Sequence, residues 1–567
     1  MPQTLHENRG LEGPARTAKG GPELLSRPTA AHSVVGTLIQ KEIHDLVLTL
    51  RFSVGTVVAV LLAVLAAYMG SLDYNARLDN YQTKLKLNRD ALTRTSVYSF
   101  LFPTVVRPPE PLSILNHGLE GRVGTDFRVS VDTEETEATS ENRGNEYLAI
   151  FSEVDLTVIV SFILGLLALL FTFDAVCGER EAGMLKLTAS YPVPGWKLLL
   201  GKYLGAWVTL LLSATLACLL SLLVIGFTAH VHFGQQELLR IALIFLAYGV
   251  YLSLMLLMGL VISSLVQRSF LALVLATFFW FFFVTVVPNL ANMIPDFTGA
   301  RASVYQQANQ NLRRVGKEQE AAFGALKDPR EGFSFYFAIN NNGGDGTVYE
   351  CSYGDRKYYD QVRDYYSQAI PFSLKFASKR AEIWRAYIRY REHQAHLARG
   401  LSLLSPTAVF RNTATFLSGT SPGDHAHYLN LASRYRNTFL EYLARKKAFT
   451  SYRWFTTDPP DQDRSWTTAL LGKTADEMVA SRADPVVTVN RVVHDPEVWK
   501  KIGQLEEENQ RRPDRFLALS DLPGFSYARL GTGQALVTAA PEILYLCVLN
   551  LIFFLVAFMR FVHYDVR

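Results

Sequence analysis

The chain has 567 residues, 49% of them apolar and only 19% charged, with a net charge of +4 at neutral pH. A soluble protein carries about a quarter of its residues as Asp, Glu, Lys and Arg, so this balance is unlike a soluble protein's, and so small a charge gives no basis for nucleic acid as a partner. The apolar residues are also unevenly placed, and their placement decides the class.

Residues 1–33 are rich in Gly, Pro and polar residues without periodicity, the composition of a disordered tail. Over 34–51, Ile39, Ile43, Leu46 and Leu50 recur at helical spacing among Lys41, Glu42, His44 and Asp45. That pattern predicts an amphipathic helix, lying either in the bilayer interface or against the protein's own face. A hydrocarbon core of roughly 30 Å needs about 20 mainly apolar residues per helical span. Six stretches qualify: 52–70, 156–173, 198–229, 241–266, 270–287 and 542–560. The first ends in small residues, Ala66-Ala67-Tyr68-Met69-Gly70, but it stands behind residues 1–51, where a secretory leader would not, and reads as an uncleaved span.

Lys and Arg in the short flanks set the orientation. Arg9, Arg16, Lys19, Arg27, Lys41 and Arg51, then Arg180, Lys186, Lys197 and Lys202, then Arg268, Arg560 and Arg567 all fall on one side. Both termini (1–51 and 561–567) and the segment 174–197 are therefore expected in the cytoplasm, in a bacterial inner membrane. Residues 71–155, 230–240 and 288–541 are expected outside; long loops cross regardless of their charge. Tyr74, Leu78, Tyr81 and Leu85 carry a helical stripe outward from the first span, followed by a Pro-rich piece at 102–111 and an acidic run at 132–141. The large insert reads as mainly helical, with stripes at 381–399 and 428–447. A hairpin is expected where 333–339 and 347–353 flank the turn 340–346, and an extended piece at 485–493 precedes a charged helix at 496–512. Cys351 is the one cysteine expected outside, so the outer region stands without an intramolecular disulfide.

The search for chemistry returns mostly absences. No span carries a charge in its middle, whereas ion-coupled transporters place ionisable groups at depth. Gly195–Tyr203, GWKLLLGKY, imitates a phosphate loop with one residue too many and a Tyr where the Mg²⁺-binding hydroxyl belongs, and reads as a helix entering the membrane. Gly419-Thr420-Ser421-Pro422-Gly423 imitates a hydrolase elbow, but Pro422 has no N–H for the oxyanion; a loop capping a helix near His425 is the better reading. The histidine pairs His230/His232, His393/His396 and His425/His427, with Glu392 and Asp424 near, lack a third placed ligand, so no metal is assigned.

That leaves Cys177–Lys202, CGEREAGMLKLTASYPVPGWKLLLGK, between two apolar runs. Glu179, Arg180 and Glu181 stand at a helix start, where acids suit the dipole. Gly183 permits close approach of a backbone; Met184, Leu185 and Leu187 form a short apolar face around Lys186; Pro192 and Pro194 turn the chain back. A rigid charged unit of this kind suits an element that something must push.

GEREAGMLKL…YPVP…LLLGKYLG resembles the GERExGTL…PV…GK segment of ABC-2-type permeases, in their multi-copper enzyme maturation branch. The likeness recurs at 107–115, 404–410, 417–421 and 564–567, and departs at Met184, where Thr is usual, and at Pro194, where a polar residue often sits. The resemblance implies a polytopic α-helical membrane protein with six spans of the ABC-2 type and a large, mainly α-helical extracytoplasmic insert between spans five and six. It implies a permease subunit with no enzymatic activity or cofactor of its own, an exporter driven by a separate ATPase chain that binds ATP and Mg. Glu179, Arg180, Glu181, Gly183, Met184, Leu185, Lys186 and Leu187 would then form the coupling helix, with Lys41, Glu42, His44 and Asp45 as the second ATPase contact. A second permease copy is expected, as a homodimer or, alternatively, a heterodimer. The rival reading is an ATP-driven mechanical transmitter that regulates an envelope protein at the outer domain and carries no cargo. No residue points to copper as cargo.

Overall fold

The computed structural model describes residues 34–133, 154–184, 194–297, 300–326, 337–340, 349–352, 356–456 and 513–562, with residues 496, 500, 504 and 511 singly. The tail 1–33, the acidic run beyond 133, the stretch holding Leu185, Lys186 and Leu187, the hairpin turn, the extended piece at 485–493 and most of the charged helix after it lie outside the described residues.

Among the described residues six helices are long and apolar enough to cross a bilayer, and the chain is a multi-pass helical membrane protein. A first helix, α1 (Val34–Val47), precedes α2 (Leu50–Thr93), the first span. Thr49 caps α2, its hydroxyl accepting from the Phe52 N–H at 3.2 Å. At 1.5 Å per residue these 44 residues are about 66 Å long, twice a hydrocarbon core, so α2 projects well beyond the bilayer as the Tyr74–Leu85 stripe predicts. The second span, α3, runs Leu156–Ile159, a π-helical turn Val160–Leu164, then Gly165–Thr172. A five-residue helix, α4 (Cys177–Glu181), follows it. Spans three and four are α5 (Gly195–Thr228) and α6 (Gln235–Leu265). The fifth, α7 (Ser269–Phe281), continues through a second π turn, Phe282–Val286, into α8 (Val287–Phe297). The sixth is α13 (Thr532–Val562).

The helix α6 is the hub of the bundle, packed by α3, α5, α7 and α13. Its contact with α3 depends on Gly259: a Cβ there would lie 2.2 Å from the Thr172 hydroxyl and 3.3 Å from the Leu169 carbonyl. Thr172 uses that closeness to donate to the Leu256 carbonyl at 2.9 Å. Small residues allow close backbone approach where lipid offers no hydrophobic drive between helices. Ala59, Ala63, Ala66 and Ala67 serve α2 in the same way.

The insert contains α9 (Ala300–Ala325), the hairpin strands β3 (Phe337–Asn340) and β4 (Tyr349–Ser352), α10 (Arg356–Ser402), α11 (Pro406–Ser418) and α12 (Pro422–Arg445). The two strands pair antiparallel where the turn signal predicts a hairpin. Two short strands between the first and second spans, β1 (Thr104–Val106) and β2 (Asp126–Arg128), also pair antiparallel. They pack with α12 around Phe127, Tyr428, Phe439 and Tyr442 in a second core separate from the span bundle.

One part of the insert packs among the spans. The end of α10, the tip Leu403–Ser405 and α11 form a hairpin that descends among the spans. Phe410 stacks on Tyr251 of α6 with ring centroids 4.3 Å apart, and the Tyr545 hydroxyl of α13 donates to the Leu403 carbonyl at 2.8 Å. Tyr251 and Phe283, which the hairpin also reaches, stand about 21 Å along their helices from the opposite ends, inside a hydrocarbon core of roughly 30 Å. The stretch 288–541 expected as one region therefore contributes a hairpin to the span bundle.

Candidate functional site

On the face that carries α1, the base of α5 holds three elements together. Gly201 and Gly205, one helical turn apart, leave a groove into which α1 packs: a Cβ on Gly201 would meet the Leu38 Cβ at 2.7 Å, and one on Gly205 the Glu42 Cβ at 2.6 Å. The first helix thus packs one of its faces against the protein's own α5. Between the glycines, Lys202 is 9% exposed. Its ammonium meets Glu179 Oε1 of α4 at 2.7 Å and Glu42 Oε1 of α1 at 3.1 Å. A buried ammonium flanked by two carboxylates is an ionic clasp, with removal of any one partner leaving the others poorly compensated.

The short α4 is tied to its surroundings at both ends. Ser263 Oγ of α6 accepts from the Val176 and Cys177 N–H groups at 3.0 and 3.1 Å. Glu181 Oε2 accepts from the Ser269 N–H at 3.0 Å and its hydroxyl at 2.8 Å, so it caps the start of α7. Arg51 at the head of α2 pairs with Asp174 at 2.8 Å and lies 5.0 Å from the Phe173 ring centre.

Of the residues expected to face an ATPase, the structure therefore brings Glu42 and Glu179 together through Lys202 and turns Glu181 onto α7. Arg180 is half-buried; Lys41, His44, Asp45 and Met184 are exposed, Met184 to 57%. Leu185, Lys186 and Leu187 lie outside the described residues. Gly183 has φ +72°, and a Cβ on it would meet nothing within 4 Å, so within this chain its role is to adopt the left-handed region that ends α4, rather than to admit a neighbouring backbone. Sequence reasoning finds Lys202 only as a positive-inside charge. The further signal is its position between two glycines of a span entrance, where a side chain is forced against whatever packs there.

The imitation motifs resolve as structure. Gly195–Tyr203 is wholly helical within α5. Gly419, at φ +77°, closes α11, and Ser421 caps α12 in a reciprocal box with Asp424; the helix begins at Pro422, three residues earlier than expected. Among the described residues no group of three or more His, Cys, Asp or Glu is placed to hold a metal.

Beyond the bilayer on the insert face, a buried ionic cluster joins the Pro-rich patch to the hairpin. Arg107 Nη2 lies 3.1 Å from Glu120 Oε1 and 3.7 Å from Glu110 Oε1, and Arg529 Nε lies 3.1 Å from Glu110 Oε2. Arg107 also donates to the Gly419 carbonyl at 3.4 Å, and the Leu119 N–H to the Thr420 carbonyl at 3.0 Å. Burial pushes the Glu110 carboxyl up to about 7, against the pull of Arg529 and Arg107 and with the help of Glu120 and Asp424. Burial, reinforced by Arg107, pushes His425 down to about 4. The segments 107–115 and 417–421, which carry part of the sequence resemblance, thus meet in space.

Residues 37–566 match the family described as ABC-2 family transporter protein. The chain is 33% identical over 136 residues to the "Probable ABC transporter permease protein NosY" of Pseudomonas aeruginosa, a match covering 23% of this chain and 47% of that protein. A protein of the same name from Stutzerimonas stutzeri is 30% identical over 138 residues, covering 23% of this chain and 48% of its own length. The chain spans about half the length of the curated relatives it matches.

Proposed function

The chain belongs to the ABC-2 family of transporter proteins, and from that premise we propose that it is the permease subunit of an ABC exporter moved by a separate ATPase chain. The face carrying α1, α4 and the termini is cytoplasmic, in a bacterial inner membrane. The partner binds ATP and Mg; this chain supplies the spans and the elements on which the partner pushes. A second permease copy completes the assembly, most simply as a homodimer.

The observation that carries this reading is the Lys202 clasp. It fastens α1 and α4, two elements on the cytoplasmic face, to the foot of α5. The Glu181 cap fastens α4 to α7 as well, and the chain itself joins α4 to α3. A push on five residues is thereby delivered to spans two, three and five together. A loop without such ties would absorb the push by bending.

The exposed positions on this face offer the test. Asp45→Lys combined with Met184→Glu is expected to lower co-purification of the co-expressed ATPase about tenfold, equivalent to roughly 1.4 kcal/mol, with membrane insertion unchanged. Unchanged co-purification overturns the coupling role. Glu179→Arg with Glu181→Arg would be a poorer probe, because it also breaks contacts to Lys202 and Ser269 inside the chain.

A further inference from the structure

A lateral groove of about 360 Å³ opens between α5, α6 and α13, within the range of roughly 300–1,000 Å³ typical of small-molecule sites. Trp207, Leu257 and Phe554 form its walls, and Gly249, which lacks a side chain, leaves room at its base. Its polar atoms are occupied. The Tyr203 and Ser253 hydroxyls share a hydrogen bond at 2.7 Å, Ser253 donates to Asn550 Oδ1, and Asn550 Nδ2 donates to the Val250 carbonyl at 3.1 Å. The Trp207 indole donates to the Gly249 carbonyl at 3.1 Å. With these groups paired, the groove offers no free N–H or O–H donor, and most of its surface is hydrocarbon.

Its depth identifies the occupant. Tyr203 lies about 12 Å along α5 from Gly195, and Asn550 about 15 Å along α13 from Arg560, so the groove starts in the leaflet on the α1 side and reaches past mid-depth at Gly249, about 24 Å along α6 from Leu265. At its foot the Phe561 ring comes within 3.4 Å of a Cβ built on Gly195, bringing the ends of α5 and α13 together. Within one turn of that junction stand Arg560, exposed, and Lys197, whose ammonium lies 5.5 Å from the Trp196 ring centre. Cations and an aromatic at headgroup level suit an anionic phosphate. We propose that the groove binds one acyl chain of a phospholipid from this leaflet, with its phosphate held between Lys197 and Arg560. The site is independent of what moves the permease, and its failure would leave the coupling role untouched.

The test uses the full chain in vesicles of phosphatidylethanolamine and phosphatidylglycerol containing a trace of phosphatidylglycerol with a diazirine on one acyl chain. After photolysis, adducts are expected to concentrate on 203–207, 249–257 and 547–554. Cys547→Trp fills the groove from an exposed position, and Leu551→Trp does so from a position 60% exposed. Each is expected to cut those adducts about tenfold while leaving adducts at the exposed Leu61 and Leu219 unchanged. Lys197→Glu with Arg560→Glu is expected to weaken groove labelling too. Adducts spread evenly over the lipid-facing helices overturn the proposal. So does efficient Cys547–Cys547 cross-linking between copies with the groove unlabelled, which would assign the groove to a second chain.

Discussion

Lys202 shows how one side chain can decide the arrangement of a whole face. Its ammonium is desolvated, a cost that only two carboxylates at 2.7 and 3.1 Å make tolerable. Lys202→Met is expected to lower the stability of the purified protein by roughly 1–3 kcal/mol, the cost of leaving buried charged partners unsatisfied. Adding Glu42→Gln and Glu179→Gln to that variant should recover part of the loss. Thermal unfolding of the three proteins in detergent checks this, and a Lys202→Met protein as stable as wild type would show that the clasp holds nothing. Glu110 makes a second case, through pH. Its folded-state pKa of about 7 lies above the ordinary carboxylate value of 4.5. The folded protein therefore binds the proton more tightly, and the associated stability is full below about pH 4.5 and lost as pH rises through 7. His425, held neutral by burial, works in the opposite direction at acid pH, so the difference between proteins isolates Glu110. Glu110→Gln is expected to flatten the fall in thermal stability between pH 5 and 8, and an unchanged slope would remove Glu110 as its source.

At the level of elements, the two π-helical turns explain why the hairpin can enter the bilayer. A π turn leaves a carbonyl without its usual partner, and an unpaired carbonyl in hydrocarbon is costly. In α3 the Ser161 carbonyl accepts from the Tyr251 hydroxyl at 3.0 Å, and Tyr251 in turn meets Thr407 of the hairpin at 3.1 Å. In the other π turn the Phe283 carbonyl accepts from the Ser405 hydroxyl, which also caps α11 by accepting from the Ala408 N–H at 3.1 Å. Ser405→Ala removes both roles at once and is expected to cost about 2–4 kcal/mol, with Ser405→Thr recovering most of it in the same unfolding measurement. The six spans and the outward continuation of α2 were legible because length and apolarity suffice to find a bilayer-crossing helix. The hairpin was not: α11 has 13 residues, too few to cross, and LeuSerProThrAlaValPhe carries no mark of depth. The same limit applies to the face formed by α1 and α4. Periodicity located α1 and the charged segment, but their union depends on two missing side chains at Gly201 and Gly205, and an absence in one helix says nothing of which other helix fills it.

Across the molecule, the bundle core and the outer core around Tyr428 and Phe439 are distinct. Three features bridge them: the length of α2, the α10–α11 hairpin and the ionic cluster at Arg107, Glu110 and Glu120. The hairpin is anchored to α13 by the Arg399–Glu542 pair, whose carboxylate is 3% exposed while the guanidinium is 35% exposed. Under the proposed coupling, a displacement begun at α4 is expected to arrive at the hairpin, since α3 and α7 carry their π turns where it docks and α4 is fastened to both. Hydrogen exchange of the permease with its ATPase, compared with and without a non-hydrolysable ATP analogue, is expected to change in α1 and at 177–184. It should change in the same experiment at 403–410 and 107–120, while α9 and the distal part of α10 around Lys379 stay as they were. Change confined to the α1 face would mean that the spans do not relay the push, and the outer domain would then act independently of the nucleotide. Change on both faces that vanishes in Ser405→Ala would place the relay at the hairpin itself, because that substitution loosens its grip on α7 without touching α1 or α4.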